Sequence, residues 1–186
     1  MITFRHGINR LLSSIVLTFA LSASVTANSE KLDELYERLQ ADVLPEWQDI
    51  ENQIVAEQSK SGSDAMDLLL QRGREALEAE EFLAAIEHFT ALTDHAPDFA
   101  EGFNARATAY FAAELFGPSL ADIERTLALD PRHYRAMIGL GTVLMTIGRE
   151  EEALFAYRKA YEINPHREDV KGLIDRLAII YDGIDL

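Results

Sequence analysis

Apolar side chains recur along this chain in two nested periods. Within short windows they fall three and four residues apart. Leu69, Gly73 and Ala76 share one helical face, and Ala85, Phe89 and Leu92 share the next. The series Phe103, Ala107, Tyr110 then leads to Ser119, Ile123, Thr126, and Met137, Leu140, Gly141, Leu144 leads to Ala153, Tyr157, Ala160. Each pair of stripes ends at a proline, and Pro97, Pro131 and Pro165 stand 34 residues apart. Proline lacks the N–H a helix interior needs, so each marks a stop. The pattern predicts an all-α chain of short amphipathic helix pairs, each closed by a proline turn.

Residue size along the stripes predicts how the pairs pack. Gly73, Ala107 and Gly141 are small where a first helix must approach its second, and Ala85, Ser119 and Ala153 are the small residues expected to meet them. Phe89, Ile123 and Tyr157 are expected to fill the space beside each crossing. Gly148 after one first helix, and Gly117-Pro118 opening one second helix, mark turns.

These spacings resemble the tetratricopeptide repeat family, whose pattern W-x2-L-G-x2-Y, A-x3-F and P is followed in three units, 66–99, 100–133 and 134–167, within a segment spanning 64–167. No unit carries the tryptophan, Arg72 and Arg106 stand where the pattern has leucine, and Ser119 replaces alanine. The resemblance implies an α-solenoid of helix-turn-helix repeats with N- and C-terminal capping helices.

The flanks read separately. Val170, Leu173, Ile174, Leu177, Ile180 and Tyr181 form one stripe, as expected of a C-terminal capping helix within 168–186, followed by the tail Asp182 to Leu186. Leu32, Leu35, Tyr36, Leu39 and Val43 form a stripe interrupted by Pro45, and Trp47, Ile50 and Ile54 form another. This N-terminal helical pair and its Ser-rich linker occupy 28–63. The pair is a cap, a diverged repeat or a dimerisation arm with Trp47 exposed.

Residues 1–27 differ in kind: Arg5 and Arg10 without an acidic residue, an apolar run from Leu11 to Ala23, then Val25-Thr26-Ala27. That is the pattern of a cleavable signal peptide, and the run is shorter than the roughly 20 apolar residues of a membrane span. The chain has no cysteine, hence no disulfide framework, thiolate metal site or cysteine nucleophile, and no Asn-X-Ser/Thr acceptor. Export to a bacterial periplasm, without stable membrane insertion after cleavage, is the expectation. The net charge of −15 becomes −17 without the signal, which repels nucleic acid and anionic membranes.

Candidate chemistry is sparse. His88 and His95 lie seven residues apart on one helix, about 10 Å, too far to share a metal ion. No H-E-x-x-H, phosphate-binding loop, G-x-S-x-G elbow or calcium loop is present. The chain is therefore expected to be no enzyme and to use no cofactor.

What a repeat array offers is a surface. The resemblance implies that the first helix of each unit lines a concave groove. The face turned away from each second helix carries Asp67, Leu70, Gln71, Arg74 and Leu77, then Glu101, Asn104, Thr108 and Phe111, then Arg135, Ile138, Thr142 and Met145, of which Leu70, Arg74, Asn104, Thr108, Phe111, Arg135, Ile138, Thr142 and Met145 are the candidate partner-binding residues. Apolar contacts and hydrogen-bond donors together suit a peptide or partner helix, and two arginines in an acidic chain point to an acidic or carboxylate ligand. The competing reading pairs those arginines with Asp67, Glu78 and Glu101. Family members that grip a carboxylate use charged or amide groups where Leu70 and Gly139 stand here, which argues against the same clamp. The sequence thus reads as a noncatalytic protein-interaction scaffold of the cell envelope, binding protein or peptide in its groove. The alternatives are an oligomerising structural protein using the N-terminal pair, or a regulatory subunit of an envelope enzyme. The oligomeric state stays open.

Overall fold

A computed structural model describes residues 30–181, so the expected export signal and the tail at 182–186 lie outside the described residues. Nine helices are present among them. An N-terminal pair, α1 (30–39) and α2 (Trp47–Gln58), precedes α3 (Asp64–Glu78), α4 (Phe82–His95), α5 (Ala100–Ala112), α6 (Phe116–Leu129), α7 (Tyr134–Thr146), α8 (Glu150–Ile163) and α9 (Glu168–Tyr181). From α3 onward each helix packs on the next, and α3, α5 and α7 also touch in succession. The result is a stack of helix pairs, α3 with α4, α5 with α6 and α7 with α8, closed at its C-terminal end by α9.

The 34-residue period is built into the backbone at each turn within a pair. Glu80, Glu114 and Gly148 adopt left-handed φ values of 59°, 59° and 78°. At each, two hydrogen bonds close the helix end: Glu80 N to Leu77 O and Glu81 N to Ala76 O, Glu114 N to Phe111 O and Leu115 N to Tyr110 O, Gly148 N to Met145 O and Arg149 N to Leu144 O. This is the Schellman arrangement, which satisfies otherwise orphaned carbonyls and favours glycine. The sequence signals it at Gly148 but hides it under glutamate at the other two positions.

In the first and third pairs the close approach is tighter than expected. A Cβ on Gly141 would lie 2.5 Å from the Tyr157 ring, and one on Gly73 would collide with Phe89. The large ring therefore sits against the glycine itself. In the middle pair Ser119, fully buried, donates its hydroxyl to Ala107 O at 2.9 Å. The serine standing for alanine thus satisfies itself inside the contact.

Arg106, where the family pattern has leucine, is also accommodated. Its guanidinium makes a two-pronged pair with Asp122 at 2.7 and 2.8 Å and reaches Thr93 at 2.7 Å. The long stem covers apolar surface while its head is fully engaged.

The N-terminal pair packs along one edge of the stack, against the turns that join successive pairs. Leu35, Tyr36, Leu39, Ile50 and Ile54 form a core with Tyr134 and Ala160. Polar contacts to the turns surround it. Glu51 accepts from the Tyr134 hydroxyl at 2.7 Å and from Arg167 at 2.9 Å, Gln58 donates to Asp130 at 3.0 Å, and Arg132 reaches Asp33 at 2.5 Å. Trp47, which the dimerisation-arm alternative needs exposed, is half-buried and stacks on His166 with ring centroids 6.4 Å apart. Apart from Val43, which is 83% exposed, the apolar stripes of the pair are turned onto their own chain.

Candidate functional site

The 34-residue register places the groove face in rows of three. Asp67, Glu101 and Arg135 are equivalent, as are Leu70, Asn104 and Ile138, then Arg74, Thr108 and Thr142, then Leu77, Phe111 and Met145. The helices α3, α5 and α7 carry these rows side by side, because each first helix packs on the next.

Six of the residues expected in the groove meet in one hollow. A cavity of about 240 Å³ between α5 and α7 is lined by Asn104, Thr108, Phe111, Arg135, Ile138 and Thr142, together with Ala107, Ser119, Ile123, Gly139 and Val143. The other three lie elsewhere. Leu70 is 2% exposed and belongs to the core between α3, α4 and α5. Met145 packs with Leu144, Leu154 and Leu177 in the core under α9. Arg74 borders a separate shallow hollow with Ser59, Gln71 and Glu78.

Charge is distributed unevenly over this face. Arg74 donates from Nη2 to Glu101 at 2.5 Å and to Ser59 at 3.1 Å, so it is paired within the chain. Arg135 differs: its Nη1 is buried and has no hydrogen-bond partner. An orphaned guanidinium nitrogen is costly to bury, and an incoming oxygen would relieve that cost. Most other polar groups of the hollow are satisfied locally, Thr108 by Asn104 O at 3.0 Å and Thr142 by Ile138 O at 3.0 Å. The hollow is thus an apolar pocket with one unsatisfied donor.

Sequence reasoning placed Glu101 on the groove face and offered it as a possible internal partner of an arginine, and it missed His133. Glu101 is 3% exposed and its carboxylate collects three donors: Arg74, Asn104 at 3.0 Å and His133 Nε2 at 3.1 Å. His133 Nδ1 accepts the Ala136 N–H at 3.2 Å, capping α7, so the ring's proton sits on Nε2 and points at Glu101. Burial pushes the Glu101 carboxyl upward, but the His133 hydrogen bond and the charges of Arg135 and Arg74 outweigh it and hold the group below the usual range. The register alone could have flagged Glu101, since it aligns an acid with Arg135. The histidine partner could not be read that way, because its role depends on the turn.

Among the described residues no cluster of three or more metal-ligating side chains occurs, and no helix is long and apolar enough to cross a membrane.

Comparison with known proteins fits this architecture. The family model described as tetratricopeptide repeat matches residues 70–117 and 104–168. A TPR repeat-containing protein of Rhizobium etli is 32% identical over 154 residues, covering 80% of this chain and 76% of that protein. The small glutamine-rich tetratricopeptide repeat-containing protein 2 of Saccharomyces cerevisiae is 28% identical over 116 residues, which is 62% of this chain but only 33% of the yeast protein. Among solved structures, the first TPR of Spaghetti (RPAP3) bound to the HSP90 peptide SRMEEVD superposes with a TM-score of 0.61 at 21% identity, covering 64% of this chain and 95% of that one. The TPR2B domain of yeast Sti1 in complex with an Hsp70 peptide gives 0.59 at 22% identity, covering 62% and 98%. With the family model spanning more than half of its residues, this chain belongs to the tetratricopeptide repeat family, a family of protein-interaction modules.

Proposed function

We infer that the chain is a noncatalytic interaction scaffold that takes a peptide or partner helix in the hollow between α5 and α7. The observation that carries this reading is an apolar cavity of about 240 Å³ whose lining includes Arg135, a cation with a buried, unpartnered Nη1. An acidic side chain or carbonyl of the ligand would complete Arg135, while an apolar residue would fill the space beside Phe111 and Ile138. Two structural neighbours with peptide-bound structures support peptide as the ligand class. The charge and targeting pattern of the first 27 residues support the cell envelope, in a bacterium the periplasm, as the place of action.

Affinity capture from envelope extract, with the wild type and Arg135→Ala as baits, tests the reading. Loss of a charge-assisted contact costs about 1.5–3 kcal/mol, tenfold or more in affinity. The expected result is a partner held by the wild type and depleted on the variant. A partner retained equally by both removes the hollow as the site. The oligomerising alternative rests on Trp47, Ile50 and Ile54, which here face the chain's own turns.

A further inference from the structure

We propose that Glu101 is a resident carboxylate that closes the first half of the groove to acidic ligands and so sets its specificity. This rests on the groove reading above. Both oxygens are engaged: Oε1 by Arg74 at 2.5 Å, Oε2 by Asn104 at 3.0 Å and His133 at 3.1 Å. The donors come from α3, from α5 and from the turn before α7, so one buried carboxylate ties three neighbouring helix pairs together at the groove. A carboxylate in that place has three of its roughly four acceptor sites taken, and it holds one guanidinium nitrogen of Arg74, the Asn104 amide and the His133 N–H on itself. These are the same kinds of donor, a guanidinium, an amide and an imidazole N–H, that an external carboxylate would need.

An arriving acidic group therefore meets occupied donors and a fixed negative charge of the same sign. Glu101 stays ionised, because its carboxyl is held below the usual range. Arg135 keeps a nitrogen without a partner, and it lies within electrostatic reach of Glu101, which tempers its pull on a second acid. The ligand class that fits is a segment with one oxygen-bearing group for Arg135 and apolar side chains next to it. A run of several carboxylates does not fit.

Two measurements test this. The first titrates the acidic peptides SRMEEVD and SGPTIEEVD, which are bound by structural neighbours, against the wild type, Glu101→Gln and Glu101→Gln/Arg74→Met. Glu101→Gln removes the charge while keeping shape. We expect at least a tenfold gain in affinity over the wild type for both peptides, and loss of that gain in the double variant. Equal affinity for the wild type and Glu101→Gln overturns the proposal.

The second follows the melting temperature of Glu101→Ala in sodium acetate and in sodium chloride at matched ionic strength. The vacated site should take up acetate, giving a saturable rise over chloride that the wild type lacks. Identical curves in the two salts overturn the proposal by a route that needs no peptide. If Glu101→Ala does not fold, the Gln titration decides. If Arg135→Ala holds its partners normally while acetate still rescues Glu101→Ala, the groove reading falls and the resident carboxylate stands.

Discussion

Two glycines on α7, two residues apart, should respond in opposite ways to the same methyl group. A Cβ on Gly141 would stand 2.5 Å from Tyr157 Cε1 and 2.7 Å from Cδ1 and Cζ. Carbon atoms in contact prefer about 3.5–4.0 Å, so the ring must retreat by roughly 1 Å. Tyr157 is 2% exposed and its hydroxyl lies 3.4 Å from Thr142 Oγ1, so retreat disturbs a packed ring and a polar contact together. Overpacking of this kind costs about 1–3 kcal/mol, and the site argues for the upper half of that range. Alanine returns up to about 1 kcal/mol through its better helix propensity. Gly141→Ala should therefore lose about 1–2 kcal/mol. On Gly139 the same methyl meets only Ile123 Cδ1, at 3.8 Å, an ordinary contact, so the propensity gain of about 1 kcal/mol is kept. The two variants should then differ by roughly 4–12 °C in melting temperature, Gly139→Ala above the wild type and Gly141→Ala below it. Shrinking the ring in Gly141→Ala/Tyr157→Leu should recover part of the loss relative to Tyr157→Leu alone. Thermal unfolding by circular dichroism measures all four. Equal shifts of one sign for the two glycines would refute the packing argument.

Arg106→Leu restores the family residue yet should destabilise by about 3 kcal/mol in chemical unfolding, because it strands Asp122 at 6% exposure; a second change, Asp122→Leu, should regain most of the loss, and a neutral single variant would show the ion pair to be dispensable. Glu114→Gly should stabilise by up to about 1 kcal/mol, since glycine takes φ near 59° without the steric cost that glutamate bears there; a lower melting temperature would mean that the longer backbone freedom of unfolded glycine dominates. Acid should act through Glu101 and Glu57, both held below the ordinary carboxyl range, Glu57 by hydrogen bonds from Lys31 and Lys60. A depressed folded value contributes stability that is fully present above the unfolded value near pH 4.3 and is lost as pH falls through the folded one. The melting temperature should hold above about pH 5 and drop below about pH 4, with a shallower acid limb in Glu101→Gln; an unchanged limb counts against the carboxylate.

What was legible in the sequence follows from how local each determinant is. Helix positions and the stacking order depend on neighbours a few residues apart, and on Pro97, Pro131 and Pro165, so period and amphipathic spacing suffice. The left-handed turns at Glu80 and Glu114 were hidden because their residue type argues against the conformation, and only the register of Gly148 points to them. Period alone sets the first-helix positions in rows, yet it does not give the fate of each cation. Arg74 and Arg135 look alike in sequence, and only the fold shows one bound to Glu101 and the other with an orphaned nitrogen. The docking of the N-terminal pair was beyond reach for the same reason. It depends on contacts such as Glu51 with Tyr134 and Arg167, across 83 and 116 residues, that leave no local periodicity.

Comparing the three units position by position separates two kinds of information. Where the units agree, in their small, ring-bearing and proline positions, they encode the stack. Where they differ, they encode what touches it. The turns illustrate this: Asp130, Arg132 and Tyr134 correspond to Ala96, Asp98 and Ala100 one unit earlier. The later turn supplies an acceptor for Gln58, a cation for Asp33 and a hydroxyl for Glu51, and the N-terminal pair fastens there. The earlier turn supplies none of these, and between it and the pair a cleft of about 630 Å³ remains. The groove follows the same rule. Asp67, Glu101 and Arg135 occupy one register with two signs of charge, and the switch from acid to base along α3, α5 and α7 places a filled carboxylate site next to an unfilled cation. A regular scaffold is thus made directional by departures from its own repeat. Exchanging the signs, with Glu101→Arg and Arg135→Glu together, should move the unfilled cation one helix toward the N-terminus and leave the register of the stack intact.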